Sequence, residues 1–194
     1  MSRIVSAPQG SDEWLQARCG VITASNFATA IGTGKTMKTY MYKLAAERIT
    51  GEVVETYKND AMARGNELEP IARSEYEFDN NLKVEETGLW LMDDDIGASP
   101  DGLVGDDGLI EIKCPLAHTH VGYLDKPGLP SIYKAQVQGQ LWVTEREWCD
   151  FVSYHPDMKS MKVRVTRDDA YIDELATKID KFKTELLELV EKVK

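Results

Sequence analysis

Apolar and polar positions alternate along this chain with two periods, and together these predict helices around a sheet. The clearest helical pattern closes the chain, where apolar residues recur every three or four positions from Ile172 to Val193. Apolar runs and two-residue alternation between turn residues predict strands. Helices are predicted over 11–18, 23–31, 38–50, 66–78, 131–143 and from 168 onward, and strands over 87–92, 103–104, 109–113, 149–154 and 161–166. Helices flanking a central sheet indicate an α/β or α+β fold.

The length and composition indicate one ordinary globular domain. The chain has 194 residues, 42% apolar and 29% charged, which is enough for a sizeable core. No apolar run approaches a membrane span, and the N-terminus lacks a signal-peptide pattern. The three cysteines, Cys19, Cys114 and Cys149, are odd in number and far apart, which favours a reducing, cytoplasmic setting. Three thiolates are also too few for a four-thiolate iron–sulfur cluster.

The charge is unevenly distributed along the chain. The formal net charge is −10, but residues 1–64 contain 8 Lys and Arg against 6 Asp and Glu, so residues 65–194 account for −12. This balance argues against a protein that coats nucleic acid with its whole surface. It leaves open a protein that grips a phosphate backbone with a few bases in one groove.

One hairpin carries the most specific chemistry in the sequence. Asp107-Gly108 separates two apolar runs and predicts a turn over residues 106–108, with Asp101 opposite Lys113 and diagonal to Glu111. Two carboxylates can bind a hard divalent cation, and a neighbouring lysine can stabilise charge on an attacking oxygen or a phosphate. The alternative is a turn aspartate followed by a strand whose charged side faces solvent.

Two further patterns are weaker. Gly34-Lys35-Thr36 is similar to the end of a phosphate-binding P-loop, but Thr29 stands where that motif needs glycine, and the segment follows a helix. His118 and His120 are predicted to lie in a loop with no nearby cysteine or third histidine, which does not favour a zinc site.

Several separated blocks, taken in order, resemble the lambda-exonuclease-like YqaJ-type viral recombinase nucleases, over residues 9 to about 155. This family has a restriction-endonuclease-like PD-(D/E)xK core, which implies a central mixed sheet flanked by helices. The blocks are Gln9-Gly10-Ser11-Asp12-Glu13-Trp14, Gly20-Val21-Ile22-Thr23-Ala24-Ser25, Arg64-Gly65-Asn66-Glu67-Leu68-Glu69, Ala98-Ser99-Pro100-Asp101-Gly102, Glu111-Ile112-Lys113-Cys114-Pro115 and Ala135-Gln136-Val137-Gln138.

The resemblance implies roles for the hairpin residues. Asp101 and Glu111 correspond to metal ligands, and the backbone carbonyl of Ile112 is expected to be a further one. Lys113 corresponds to the lysine that positions or activates the attacking water.

Two helical positions complete the implied catalytic centre. Glu69 corresponds to the glutamate that serves a second metal, and Gln138 to a glutamine beside the centre. Glu67 and Gln136 are alternatives two positions earlier, which a helix directs about 200° away, so only one of each pair can face the site.

A third group is implied to bind a 5′-terminal phosphate. Arg18, Ser25 and Ser99 correspond to these positions, and Lys35 or Lys38 is expected to extend the basic surface. A guanidinium is a bidentate phosphate donor, which suits this role. From the residues alone, Arg18 could equally be a solvated helix end and Ser25 a helix cap.

The resemblance therefore implies a single exonuclease domain over residues 1–194 that uses two Mg²⁺ ions, with Mn²⁺ as a possible substitute. It would degrade one strand of linear duplex DNA from a phosphorylated 5′ end to mononucleotides, leaving 3′ overhangs. A ring-shaped homotrimer, a single-strand annealing partner and a phage or prophage gene acting in the bacterial cytoplasm are also implied. A structure- or sequence-specific endonuclease on the same core, and a non-catalytic DNA-end-binding adaptor, are the alternatives.

Overall fold

The strands form two separate sheets in the computed structural model, which describes residues 2–54 and 60–194 and the side chains outside residues 60–62. The strands are β1 (Arg3–Val5), β2 (Ile22–Thr23), β3 (Val84–Glu85), β4 (Leu89–Leu91), β5 (Ile96–Ala98), β6 (Gly102–Val104), β7 (Gly108–Lys113), β8 (Trp148–Ser153) and β9 (Met161–Thr166). One sheet has the order β1-β4-β5-β2 and the other β3-β6-β7-β8-β9. Each contains one parallel pair, β2–β5 and β7–β8, beside antiparallel pairs. The predicted α/β class is confirmed, with two mixed sheets in place of one.

Seven α-helices accompany the sheets in the described residues. They are α1 (Asp12–Ala17), α2 (Phe27–Ala30), α3 (Lys35–Thr50), α4 (Asp60–Asn80), α5 (Ala117–Asp125), α6 (Lys134–Thr144) and α7 (Asp169–Val193), with 3-10 turns at Ala24–Asn26 and Ser131–Tyr133. The Ser11 hydroxyl caps α1 by accepting from the Trp14 N–H. Gly51, with a φ of 71°, ends α3 as the sequence predicts. Helix α5 was not predicted.

Helix α6 lies between the second sheet and helices α2, α3 and α7. It belongs to the connection between the parallel strands β7 and β8, which requires a crossover. Val137 and Leu141 pack with Leu109 of β7 and Phe151 of β8. Other α6 residues belong to the cluster formed by α2, α3 and α7. Because α6 is held on both sides, the side chains on its sheet-facing side have a fixed orientation towards β7.

Helix α4 covers the opposite face of β7. Ala72 and Tyr76, one turn apart, pack with Ile110 and Ile112. Ile71 is 52% exposed because it lies about 100° around the helix from Ala72. Strand β7 is therefore enclosed between α4 and α6.

Helix α7 is a core helix, as its pattern predicts. Asp168 caps it by accepting from the Tyr171 N–H, and five apolar residues at three- and four-residue spacing are buried. These are Ile172, Leu175, Ile179, Phe182 and Leu186. Among the helices of the described residues, none combines the length and the apolar character that crossing a membrane requires.

Candidate active site

The turn between β6 and β7 comes one residue earlier than predicted. Val104 pairs with Gly108, so the turn occupies residues 105–107 rather than 106–108. Gly105 has a φ of 57°, in the left-handed region where glycine is least strained. The predicted register is therefore wrong by two residues across the pair. A shift of two retains the face of each side chain, whereas a shift of one would reverse it.

Asp101 is consequently level with Glu111 and not with Lys113. Its Oδ2 accepts a hydrogen bond of 2.7 Å from the backbone N–H of Ile112. In a strand the N–H and C=O of one residue point to the same side. The Ile112 carbonyl therefore faces the side on which Asp101 lies, as its predicted role requires.

Glu111 is 1% exposed and is held by three side chains. Lys113 Nζ and Gln136 Nε2 lie 2.5 Å and 2.6 Å from Oε1, while Gln140 Nε2 donates to Oε2 at 2.6 Å. A buried carboxylate requires such partners, because losing them leaves a charge without solvation. The Glu111 carboxylate is therefore oriented by one charged and two neutral donors.

The ammonium group of Lys113 faces both hairpin carboxylates. Burial alone would lower the pKa of Lys113, but the adjacent Glu111 and Asp101 outweigh burial and raise it. Its Nζ also lies 5.4 Å from the centre of the Tyr133 ring. Lys113 is therefore a fixed positive charge at neutral pH.

Gln138 does not belong to this centre, which corrects its predicted role. Its side chain donates to the Thr166 carbonyl at 2.9 Å and accepts from the Asp168 N–H at 3.0 Å, so it joins α6 to the start of α7. Gln136 and Gln140 are one helical turn apart and share the face towards β7. That four-residue spacing in the sequence groups Gln136 with Gln140 and separates both from Gln138.

Glu69 on α4 approaches the centre from the other side of β7. Burial raises its pKa, the neighbouring Arg73 lowers it, and Glu111 raises it further, with a net increase. Arg73 Nη2 lies 2.6 Å from Glu69 Oε1, and Arg73 Nη1 lies 2.5 Å from the exposed Glu86. Glu69 thus lies near the hairpin carboxylates and is bound to Arg73, a residue that sequence reasoning missed.

The mutual repulsion of these carboxylates is visible at Asp101. Burial, followed by the charge of Glu111 and then that of Glu69, raises its pKa well above the usual value, and Lys113 only partly opposes this. Oxygen ligands with excess negative charge fit a hard cation such as Mg²⁺. The buried Oε1 of Gln140 has no hydrogen-bond partner in the described residues, so this side chain, bonded to Glu111 through its Nε2, also offers a neutral oxygen donor.

The carboxylates Glu111 and Glu69 are bonded to protein side chains in this structure. Among the described residues, no three His, Cys, Asp or Glu side chains are arranged to coordinate one ion. Glu111 is occupied by Lys113 and the glutamines, and Glu69 by Arg73. The donor set fits a hard divalent cation chemically, and binding one requires these partners to yield carboxylate oxygens.

A second group of polar residues lies beside the carboxylates. Arg18 donates to the hydroxyls of Thr23 at 3.1 Å and Ser25 at 3.4 Å, and its guanidinium lies 4.3 Å from the centre of the Trp14 ring. The Trp14 Nε1–H donates to the Ser99 hydroxyl at 3.2 Å. The three residues predicted from different segments, Arg18, Ser25 and Ser99, are therefore brought together, with Trp14 between them.

Burial lowers the pKa of Arg18, with Tyr40 and Glu47 acting in the opposite direction. Its buried Nε has no hydrogen-bond partner among the described residues, which leaves a donor for an anion. Lys35 is exposed at the start of α3 and lies outside the cavity that Arg18 and the hairpin residues line. Lys38 lines a different cavity between α3 and α7.

The two groups share one cavity of about 160 Å³. Its lining combines the hairpin charges, the α6 glutamines and the Arg18 group. The lining residues are Gln9, Trp14, Arg18, Thr23, Ser25, Ser99, Asp101, Glu111, Lys113, Gln136 and Gln140.

The histidine pair takes no part in it. His120 lies on α5 and not in a loop; its Nδ1 is 2.7 Å from the Ser153 hydroxyl and its Nε2 is 3.0 Å from the Lys159 carbonyl. A ring with both nitrogens bonded to the protein serves packing. His118 is exposed.

Comparison with known proteins identifies the family of this chain. The family model described as the YqaJ-like viral recombinase domain matches residues 13–147, well over half of the chain. The chain belongs to this family. The matched range of this recombinase-family protein includes the hairpin, the Arg18 group and the α6 glutamines.

Solved structures extend the likeness over almost the whole chain. An alkaline exonuclease from Laribacter hongkongensis is 41% identical, with a TM-score of 0.88 over 94% of this chain and 96% of that one. The same exonuclease in complex with dAMP gives 40% identity and a TM-score of 0.89 over the same shares. A phage-related exonuclease from Haemophilus somnus, at 18% identity and a TM-score of 0.74 over 90% and 96% of the two chains, shares the fold.

A viral protein of undetermined function is also similar. The uncharacterized protein R354 of Acanthamoeba polyphaga mimivirus is 33% identical in an alignment of 168 positions that covers 78% of this chain. The chain spans about 30% of the length of that curated relative.

Proposed function

We propose that this protein is a Mg²⁺-dependent exonuclease that removes mononucleotides from the phosphorylated 5′ end of linear double-stranded DNA and leaves a 3′ single strand for recombination. Residues 1–194 would act as a single catalytic domain. The proposal rests on one observation above all. The charged hairpin residues and the Arg18 group line the same small cavity.

The shared cavity favours end-dependent cleavage over cleavage within a duplex. A guanidinium with a free buried Nε, beside two serine hydroxyls, suits a terminal phosphate group. If the 5′ phosphate occupies the Arg18 group, a phosphodiester bond nearby reaches Asp101 and Lys113. Positioning of this kind supplies a large part of catalysis, because the reacting bond is held against the catalytic groups.

The hairpin residues have complementary tasks in this proposal. Lys113 supplies a permanent positive charge where the attacking oxygen and the phosphate accumulate negative charge. Gln136 and Gln140 hold the Glu111 carboxylate in one orientation. Mg²⁺ ions held by Asp101, Glu111, Glu69 and the Ile112 carbonyl would supply Lewis-acid chemistry to the attacking water and the leaving oxygen.

The relatives support the same class of reaction. The Laribacter hongkongensis protein is an alkaline exonuclease, and its similarity extends over nearly all of both chains. The matched family is that of viral recombinases, which supports a role in producing recombination substrates.

We extend the proposal to assembly and partners. A ring-shaped homotrimer that threads DNA, together with a single-strand annealing protein that receives the 3′ strand, is consistent with an acidic chain of net charge −10 that places Arg18 and Lys113 in one cavity. Sedimentation with and without DNA tests the trimer directly, and a monomer on DNA would contradict it.

One experiment tests polarity, end dependence and the metal together. A linear duplex carries a 5′ phosphate on one strand and a distinct label on each strand, and is incubated with Mg²⁺ or with chelator. We expect mononucleotides from the phosphorylated strand, and only with Mg²⁺. Release from the other strand first, or cleavage of covalently closed circular DNA, would instead indicate the endonuclease alternative. Binding to ends without any nucleotide release would indicate an adaptor.

Two variants connect the activity to the cavity. Lys113→Ala should abolish cleavage while binding to DNA ends persists, because it removes the catalytic charge and leaves the Arg18 group. Lys178→Ala, on the exposed face of α7, is the matched control and should retain activity. Arg18→Gln should remove the preference for phosphorylated ends. Equal losses on phosphorylated and hydroxyl ends would argue against the phosphate role.

A further inference from the structure

Arg18 is the first residue of a tight turn that joins α1 to β2. The Val21 N–H donates to the Arg18 carbonyl at 3.0 Å, and Gly20, the third residue, has a φ of 73°. A positive φ at the third position of a turn favours glycine. Because Thr23 and Ser25 follow directly, the shape of this turn sets where Arg18 stands relative to both hydroxyls.

Two adjacent residues of α3 grip this turn through its backbone. Glu47 Oε2 accepts from the Gly20 N–H at 2.9 Å, and Arg48 Nε donates to the Gly20 carbonyl at 2.8 Å. Glu47 is 4% exposed, and its Oε1 accepts from the Val54 N–H at 3.2 Å. Hydrogen bonds to charged groups are the stronger kind. The peptide groups of one glycine are therefore fixed by two opposite charges.

The arrangement is not a simple ion pair. Neighbouring helix positions point about 100° apart, so Glu47 and Arg48 reach opposite sides of the glycine rather than each other. A Cβ added to Gly20 would lie 2.6 Å from Arg48 Cγ, so the side-chain stem also abuts the turn. Burying two charges is unfavourable unless their partners are well placed, and here the partners belong to the turn.

The same arginine connects the turn to the strand that leads to Ser99. Arg48 Nη2 lies 2.8 Å from Asp95 Oδ1, and the Asp95 carbonyl accepts from the Ile22 N–H at 2.7 Å. Lys183 of α7 lies 2.9 Å from Asp95 Oδ2. Strand β5 begins at the residue after Asp95 and ends next to Ser99. The turn that carries Arg18 and the strand that leads to Ser99 are thus both held by the guanidinium of Arg48.

We propose that Glu47 and Arg48 are positioning residues that set the discrimination between 5′-phosphorylated and 5′-hydroxyl DNA ends by fixing the turn that carries Arg18. Neither residue lines the cavity, so each acts through Arg18 and not by touching DNA. The inference rests on the proposed function, because it assigns the Arg18 group to the terminal phosphate.

The test compares Arg48→Met, which keeps the length of the stem and loses both polar contacts, with Glu47→Gln, which keeps the shape and loses the charge. Lys183→Met is the matched control, since it breaks ion pairs on Asp93 and Asp95 but leaves Gly20 untouched. The measured quantity is the ratio of kcat/KM for phosphorylated and hydroxyl duplex ends, at a temperature where circular dichroism shows each variant folded. Binding of the two ends is measured in parallel by fluorescence anisotropy in a Lys113→Ala background.

We expect Arg48→Met to lower the ratio about 10-fold, chiefly through KM, because small displacements of a positioning group have effects of this order. Glu47→Gln should lower it less, and Lys183→Met should retain it. If the wild-type ratio is well above one and persists in both α3 variants, the positioning role of Glu47 and Arg48 is overturned, and the phosphate role of Arg18 is not. An equal fall in Lys183→Met would also overturn the positioning role, since general loosening would then suffice. A wild-type ratio near one would refute the phosphate role of Arg18 and the positioning role with it.

Discussion

Tyr76 anchors the helix that carries Glu69, and its hydroxyl gives a measurable prediction. The hydroxyl donates to Asp150 Oδ2 at 2.7 Å, and the two residues are 4% and 1% exposed. Burial, then the hydrogen bond to Asp150, raises the pKa of Tyr76, so it stays protonated and donating. Arg164 holds the same carboxylate with contacts of 2.8 Å and 2.9 Å. Asp150 therefore remains paired when the tyrosine hydroxyl is removed.

The expected effect of Tyr76→Phe follows from this geometry. A hydrogen bond to a charged group contributes about 1.5–3 kcal/mol, and the remaining Arg164 contacts favour the lower end of that range. We therefore expect the free energy of unfolding to fall by about 1.5–2 kcal/mol, and Tm to fall by about 2–4 °C for each kcal/mol in a chain of this size.

Urea unfolding of Tyr76→Phe and Tyr154→Phe provides the measurement and its control. Tyr154 belongs to the same apolar cluster and is 6% exposed, but its hydroxyl makes no hydrogen bond with the described part of the chain. Its loss should change stability by less than about 0.5 kcal/mol. Equal losses in the two variants would refute the reasoning, because the Asp150 bond would then add nothing beyond packing.

Two other predictions concern the glutamines and acid. Gln136→Leu should reduce Mg²⁺ affinity or activity about 10- to 100-fold, since it removes a partner that orients Glu111. Gln138→Leu should chiefly lower the stability of the fold. Mg²⁺ titration and urea unfolding separate the two effects, and a larger loss of Mg²⁺ affinity in Gln138→Leu would contradict the assignment. Burial raises the pKa of Asp93 and Asp150, but hydrogen bonds from Lys183 and Arg164 outweigh burial and lower the pKa of both below the usual range for aspartate. Stability from these carboxylates should be complete above pH 4 and lost below it, as their folded forms protonate. Unfolding curves measured above and below pH 4 should show that Asp93→Asn loses less stability in acid than the wild type does.

The sequence is sufficient for the faces of the site and insufficient for its register. Alternation along β7 places Glu111 and Lys113 on one face, and any even shift preserves that result. The choice of turn depended on one residue, because both Gly105 and Gly108 suit a turn. In the structure Gly108 lies in β7 against Trp148, where a Cβ would lie 2.2 Å from the ring. That contact comes from a strand 40 residues away, which no local pattern reveals.

Helix periodicity was sufficient to separate Gln136 from Gln138 but not to choose between them. The choice depends on which side of α6 faces β7, and α6 is apolar on two sides because it packs against a sheet and against other helices. Glu47 and Arg48 were missed for a related reason. Charged neighbours on a helix usually form a solvated face, and only the tertiary fold brings them onto Gly20.

The short link between the two sheets sets the scale of the reaction. Ser99 follows a strand of one sheet and Asp101 precedes a strand of the other, with only Pro100 between them. Their Cα atoms can be separated by no more than about 7 Å, whatever the sheets do. In the proposed exonuclease the chain therefore acts as a covalent ruler. In that proposal the connectivity of the polypeptide fixes the length of the released product, whatever the DNA sequence.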